Sequence, residues 1–338
     1  YKLILFNINK MYVFEEEKLI EEIKERTPKR ILLQLPEGLK KEAIRLSKFI
    51  QEKTNTEVIV SGEPVWGACD IAVAEAKALN ADLIVLYGHA PFIKIDYPIL
   101  YLEARFEKDL TNLIKESLNY LKSYKKIALV SSVQHIHQLP QIKELLEKES
   151  KEVIIPEKKG FSFYDGQVLG CEYNLLKAIS KNIEAILIIG NNFHALGAAL
   201  SVKNPVILID PYNEEIRNME EIKNKIIKQR AAVLAKAKEA KKFGIIIGLK
   251  PGQKFGSFQY ITDKLKKIDK EYILVSMNEI TIDKLINLYD VDAFVELACP
   301  RIAIEDVAKY PKPLLTAREF AVLVGDIKWE DLLEKGFL

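Results

Sequence analysis

Short runs of β-branched and apolar residues alternate with amphipathic helical patterns along nearly the whole chain. Strands separated by helices pair in parallel through βαβ crossovers, so this alternation predicts an α/β fold of small parallel sheets flanked by helices. The order then repeats. Arg30–Leu35, Glu57–Ser61, Asp82–Leu86 and Pro98–Leu102 read as strands with helices between them. Lys126–Val130, Glu152–Ile155, Ala185–Ile189 and Val206–Ile209 give the same order again. Phe243–Ile247, Tyr272–Val275, Ala293–Leu297 and Pro313–Leu315 give it a third time. Leu83, Leu187 and Val295 hold matched places in the third strand of each set, 104 and 108 residues apart. A period of that length is the size of a domain, not of a solenoid repeat. The 338 residues are therefore expected to form three related domains, 14–105, 106–212 and 213–338, around a pseudo-threefold axis. A Lys-rich helix from about Glu214 to Lys242 is expected to open the third. Ile222, Ile226, Val233 and Ala237 would face inward, and its cations, Arg230 among them, outward to solvent.

Lys and Arg number 50 against 48 Asp and Glu, so the chain has no overall charge to draw it to nucleic acid or to a membrane. The longest uncharged stretch, Ala185 to Val202, carries Gly190, Asn191, Asn192 and His194 at its middle, and reads as strand, loop and helix rather than a membrane span. Tyr1 to Phe6 is apolar but too short for a signal sequence, and a cytoplasmic location is expected. Dinucleotide and nucleoside-triphosphate chemistry find no support, because the chain has neither G-x-G-x-x-G nor a P-loop; H-E-x-x-H is also missing.

Only three cysteines are present, Cys69, Cys171 and Cys299, and an odd, scattered set argues against a disulfide framework. One falls in each repeat, and each is predicted at the carboxyl end of a strand, where parallel α/β sheets place their ligands. Glycine, alanine or proline flanks every one of them, allowing close backbone approach. Taken singly they read as buried thiols. Taken together they suggest a shared centre. Three thiolates on a [4Fe–4S] cluster leave one iron free to bind a substrate. Zinc held by three thiolates and a fourth ligand is the alternative.

The motifs Leu35-Pro-Glu-Gly-Leu39, Gly67-Ala-Cys-Asp70, Gln134-His-Ile-His-Gln138, Gly166-Gln-Val-Leu-Gly-Cys171, Phe193-His194 and Ala298-Cys-Pro-Arg301 resemble the archaeal 2-(3-amino-3-carboxypropyl)histidine synthase family of diphthamide synthesis, from about Phe14 onward. The resemblance implies a [4Fe–4S] cluster held by Cys69, Cys171 and Cys299, a homodimer, and an external electron donor. It also implies a non-classical radical use of S-adenosylmethionine. The 3-amino-3-carboxypropyl group would pass to C2 of a histidine imidazole in translation elongation factor 2, the first step of diphthamide formation. The C-x₃-C-x₂-C run of ordinary radical enzymes is missing.

For that chemistry the methionine carboxylate needs a cationic clamp. Arg301, two residues past Cys299, is the first candidate, since a guanidinium can bind a carboxylate bidentately. Its alternative role is an ion pair between domains. Gln253, in the loop Lys250-Pro-Gly-Gln253, is the second candidate. His89, His135, His137 and His194 follow strand ends; each could accept the proton that C2 substitution must lose, but they are read first as caps or buried polar groups, and none is named as catalytic. Two other readings stand beside this one. The first is a quinolinate-synthase-like enzyme using a cluster iron as a Lewis acid. The second is a non-catalytic subunit that binds a cluster or zinc.

Overall fold

A computed structural model describes residues 12–305 and 310–338; the apolar segment Tyr1–Phe6 lies outside them. Among the described residues three sheets of four or five strands carry the fold, with a small antiparallel pair of Tyr12–Val13 and Arg105–Phe106 besides. The first contains β1 (Arg30–Gln34), β2 (Glu57–Val60), β3 (Leu83–Tyr87) and β4 (Ile99–Leu102). The second contains β5 (Lys126–Ser131), β6 (Glu152–Ile154), β7 (Ala185–Ile189), β8 (Val206–Asp210) and β9 (Glu215–Asn218). The third contains β10 (Lys242–Gly248), β11 (Glu271–Met277), β12 (Ala293–Glu296) and β13 (Leu314–Thr316).

Within each unit the spatial order is second strand, first, third, fourth, and all these pairings are parallel. Only β9 departs, pairing antiparallel on the outer side of β8. The central strands read as unbroken apolar runs because both their faces are covered, whereas the edge strand Glu271–Met277 leaves Ile273 and Leu274 exposed. In β1, Ile31 and Leu33 enter one core while Leu32 enters the other, on the opposite face. Each of the other two sheets likewise separates two cores. The last helix, Trp329–Lys335, and Phe337 cross back, so that Leu332 and Phe337 pack into a core of the second unit.

A polar device also recurs. Asp82, Glu184 and Asp292 each stand directly before a third strand. Each carboxylate accepts the two backbone N–H groups that begin the first strand: Lys29 and Arg30, Lys125 and Lys126, Lys241 and Lys242. One side chain thus ties the starts of the two central strands together in every unit. Backbone donors at a strand end must find acceptors, and charged acceptors make the stronger bonds.

The predicted helix from Glu214 is corrected in two ways. Residues Glu215–Asn218 form β9, and the helix spans Glu220–Lys238. Arg230 is not on a solvated face but 1% exposed.

Candidate metal centre

All three cysteines leave the carboxyl ends of strands and are free thiols, half-buried. They lie close enough to raise one another's pKa: Cys171 feels Cys299 and Cys69, and Cys299 feels Cys69. Burial is the larger cause in each case. It lifts all three thiols, Cys299 to about 12. Thiols in such a place stay protonated unless a cation draws the protons off, which is what metal ligation does. Among the described residues, no three His, Cys, Asp or Glu side chains stand close enough to ligate a single ion. Three free thiols are a donor set that suits iron and sulfide.

Each thiol has its own scaffold. Cys69 sits in the loop after β2. Gln34, buried on β1, donates to the Asp70 carbonyl at 2.6 Å and accepts from the Ala72 N–H. From the third unit, the Gly252 N–H donates to the Cys69 carbonyl at 2.8 Å. Gly252 is obligatory there, since a Cβ would lie 2.6 Å from the Cys69 Cα. Lys250 pairs with both Asp70 and Glu279, locking the two loops together.

Cys171 follows Gly170, whose φ of +90° and proximity to the Phe193 ring exclude a side chain. Cys299 is fixed from beneath. The buried Glu296 accepts the N–H groups of Ala298 and Cys299, both at 2.9 Å. Pro300 then opens the short helix Pro300–Glu305. Burial lifts Glu296 to about 7, against the pull of those two N–H groups.

Arg301 is 3% exposed, with its guanidinium 4.0 Å from the centroid of the Phe193 ring. Nη1 donates to the Gly170 carbonyl at 2.6 Å and Nη2 pairs with Glu305, while Nε has no partner. The charge lies near both Cys171 and Cys299, and Gly197 leaves space for it. Gln253, also buried, places its amide nitrogen 3.6 Å from the Cys69 sulfur. Both residues picked out in the sequence therefore adjoin the thiols, Gln253 as a neighbour of sulfur and Arg301 bridging the second and third units.

The histidines divide. His194 lies on the first turn of the helix Asn192–Ser201, and Asn191 accepts from its backbone and bonds its Nδ1. Burial, then the charge of Arg301, push it down to about 3. His89 is held at about 4 by burial. His135 is wholly buried between the Phe106 and Tyr212 rings. His137 lies near Glu107, 3.5 Å away.

A cavity of about 310 Å³ opens on Cys171 and is lined by Tyr173, Lys177, Phe255, Glu296 and Arg318. That volume is at the lower end of small-ligand sites. Sequence reading missed Lys177, Arg318 and Glu296. For Glu296 a signal existed: an acid inside the otherwise apolar strand Ala293-Phe-Val-Glu296 must have buried partners.

The fold and the site thus define a protein of three α/β units whose three thiols lie within electrostatic reach of one another. The family described as “Putative diphthamide synthesis protein” matches residues 35–333. The chain is 36% identical over 319 residues to 2-(3-amino-3-carboxypropyl)histidine synthase from Pyrococcus horikoshii, covering 93% of this chain and 91% of that one. It is 32% identical to subunit 1 of the synthase from Homo sapiens, covering 94% of this chain and 73% of that one. A crystal structure of Dph2 from Pyrococcus horikoshii with a 4Fe-4S cluster superposes with a TM-score of 0.85 at 34% identity, covering 94% and 92% of the two chains. The chain belongs to the diphthamide synthesis family. Its curated relatives are transferases.

Proposed function

We propose that this chain is a 3-amino-3-carboxypropyl transferase that modifies C2 of a histidine imidazole in translation elongation factor 2. The observation that carries this reading is the contact between the cysteine loops of the three units: the Gly252 N–H bonds the Cys69 carbonyl, Gln253 reaches the Cys69 sulfur, and Arg301, two residues past Cys299, bonds the Gly170 carbonyl beside Cys171. Cys69, Cys171 and Cys299 would hold a [4Fe–4S] cluster. When bound and reduced, such a cluster supplies the electron that cleaves a carbon–sulfur bond of S-adenosylmethionine.

The chain's own task is to choose which bond breaks and to keep the fragment from water. Arg301 holds the methionine carboxylate through the edge that Glu305 now occupies. Exchanging one carboxylate for another keeps the buried guanidinium paired, so binding does not strand a charge. Gln253 steadies Cys69 and bounds the same space. His194, neutral throughout the physiological range, carries no charge to repel a sulfonium. A homodimer, an external electron donor, a cytoplasmic location and unit boundaries at 105/106 and 212/213 belong to the same reading. No helix among the described residues is long and apolar enough to cross a membrane.

The test is anaerobic reconstitution with iron, sulfide, dithionite and S-adenosylmethionine. Methylthioadenosine should appear, together with a modified histidine on elongation factor 2. Release of 5′-deoxyadenosine would refute the choice of bond.

A further inference from the structure

The loop between β6 and Cys171 is longer than its cysteine needs, and it displays aromatic rings. Phe161 and Phe163 are 48% and 43% exposed. The Phe161 ring lies 4.7 Å from that of Phe92, which comes from the loop after β3 of the first unit. Exposed rings cost free energy in water, so a paired and ordered set of them marks a contact surface.

This loop is built, not loose. Gln167, 2% exposed, accepts the N–H groups of Phe163 and Tyr164 at 2.8 and 3.1 Å. The Ser162 hydroxyl donates to the Gln167 carbonyl at 2.9 Å. Backbone bonds of 2.9 Å join Gly166 and Val168 to Ser131 at the carboxyl end of β5. Glu172, the residue after Cys171, accepts the Phe161 N–H at 3.4 Å, and its carboxylate fills the space beside Gly160. The rings are thus fastened to both neighbours of the second thiol's loop, and they sit where the first and second units meet.

We propose that Phe92, Phe161 and Phe163 form the docking surface for the protein substrate, receiving the polypeptide loop that presents the target histidine. This rests on the transferase reading above. A substrate of macromolecular size must land on the exposed loops at the carboxyl ends of the strands, and this one is continuous with a proposed ligand. Charge decides between partners. Lys158 and Lys159 are balanced by Glu157 and Asp165 in the same loop. A nucleic acid needs net positive charge and binds with a steep salt dependence, whereas an apolar protein contact does not. The surface therefore takes a protein loop through its rings.

The test compares wild type, the double variant Phe161→Ala/Phe163→Ala and the milder Phe161→Leu, each reconstituted with its cluster. Three quantities are read: KM for unmodified elongation factor 2, iron per chain, and methylthioadenosine release without protein substrate. KM should rise about tenfold or more in the double variant, as loss of aromatic anchors does, and by less in Phe161→Leu. Iron and protein-independent cleavage should match wild type, and KM should change little between 50 and 200 mM salt. An unchanged KM overturns the proposal. So does a loss of iron, which would make the rings supports of the thiol loop, or a steep salt dependence, which would point to a polyanionic partner. If wild type cleaves S-adenosylmethionine yet never modifies elongation factor 2, the transferase reading itself falls, separately from the surface.

Discussion

Replacing Arg230 with methionine should destabilise the third unit more than any surface change. Arg230 is 1% exposed and Glu319 is fully buried. Nε and Nη2 donate to the two carboxylate oxygens of Glu319, each at 2.6 Å. Nη1 donates to the Ala303 carbonyl at 2.6 Å and Nη2 to the Leu314 carbonyl at 2.7 Å. One guanidinium therefore ties the helix Glu220–Lys238 to the Cys299 helix, to β13 and to the capping box of Thr316 and Glu319. Methionine keeps much of the volume but leaves Glu319 charged and buried. Removing one member of such a pair costs about 3–5 kcal/mol. Each orphaned carbonyl adds up to about 1 kcal/mol, partly relieved by water. A net loss of about 4 kcal/mol raises amide exchange in Pro300–Glu305 by about a thousandfold, if exchange there follows opening of this unit. The assay is urea unfolding with hydrogen exchange of residues 300–305. The double variant Arg230→Met/Glu319→Leu should recover at least half of the loss, because a buried ion pair replaced on both sides is often neutral. A single-variant loss below about 1 kcal/mol, or a double variant worse than the single, refutes this account of the network.

Three shorter predictions follow the same physics. Gly252→Ala puts a methyl against the Cys69 backbone, which must retreat; iron per chain after anaerobic reconstitution should fall by more than half while the far-ultraviolet spectrum is kept. Lys250→Met strips the shared cation from Asp70 and Glu279; the cost, about 3 kcal/mol at pH 7 in urea unfolding, should shrink toward pH 5 as the stranded Asp70, whose pKa burial already raises, takes up a proton. His135 is held near 4 by burial, below its value of about 6.5 when unfolded. Its neutral form is favoured by folding, so the stability it confers is complete above pH 6.5 and is lost as pH falls toward 4; by linkage the loss is about 2 kcal/mol at pH 5. His135→Phe should flatten the acid limb of the stability curve by that amount, and an unaltered limb would show that His135 is not the group responsible.

The parallel strands were legible because burial on both faces leaves a continuous apolar run, and such runs recur at domain spacing. Element order alone did not reveal β9. Glu215-Ile-Arg-Asn218 is an exposed edge strand of mostly polar residues, whose pattern merges with the helix that follows. Arg230 looked like its lysine neighbours because a helical face is assigned by periodicity, while its burial is decided by Glu319, 89 residues away. The three thiols were found because cysteine is rare in this chain. Most of their scaffolds were not, since Gln34 acts through backbone groups and Lys250 across a unit boundary, and neither leaves a sequence mark; Glu296 did leave one, as an acid in an apolar strand. Arg301 shows the limit most clearly. The sequence offered a carboxylate clamp or an ion pair, and the structure has its guanidinium paired to Glu305 and to the carbonyl of another unit.

The divergence of the units explains how a threefold repeat yields a one-sided centre. Asp82, Glu184 and Asp292 show that the units keep the same join between central strands, so each presents its carboxyl ends in the same way. Cys69 and Cys171 leave after the second strand, but Cys299 leaves after the third. After the third strand the other two units carry His89 and His194, and these two histidines sense each other's charge. Two types of strand end thus carry the thiols, and the Arg301 guanidinium stands beside Cys171 and Cys299. Three identical units would have placed equivalent groups about every thiol, with nothing to tell the reacting bond from its neighbours. Shifting one cysteine to a different strand end breaks that equivalence, and an unsymmetrical surround is what orienting one substrate requires and electron carriage does not.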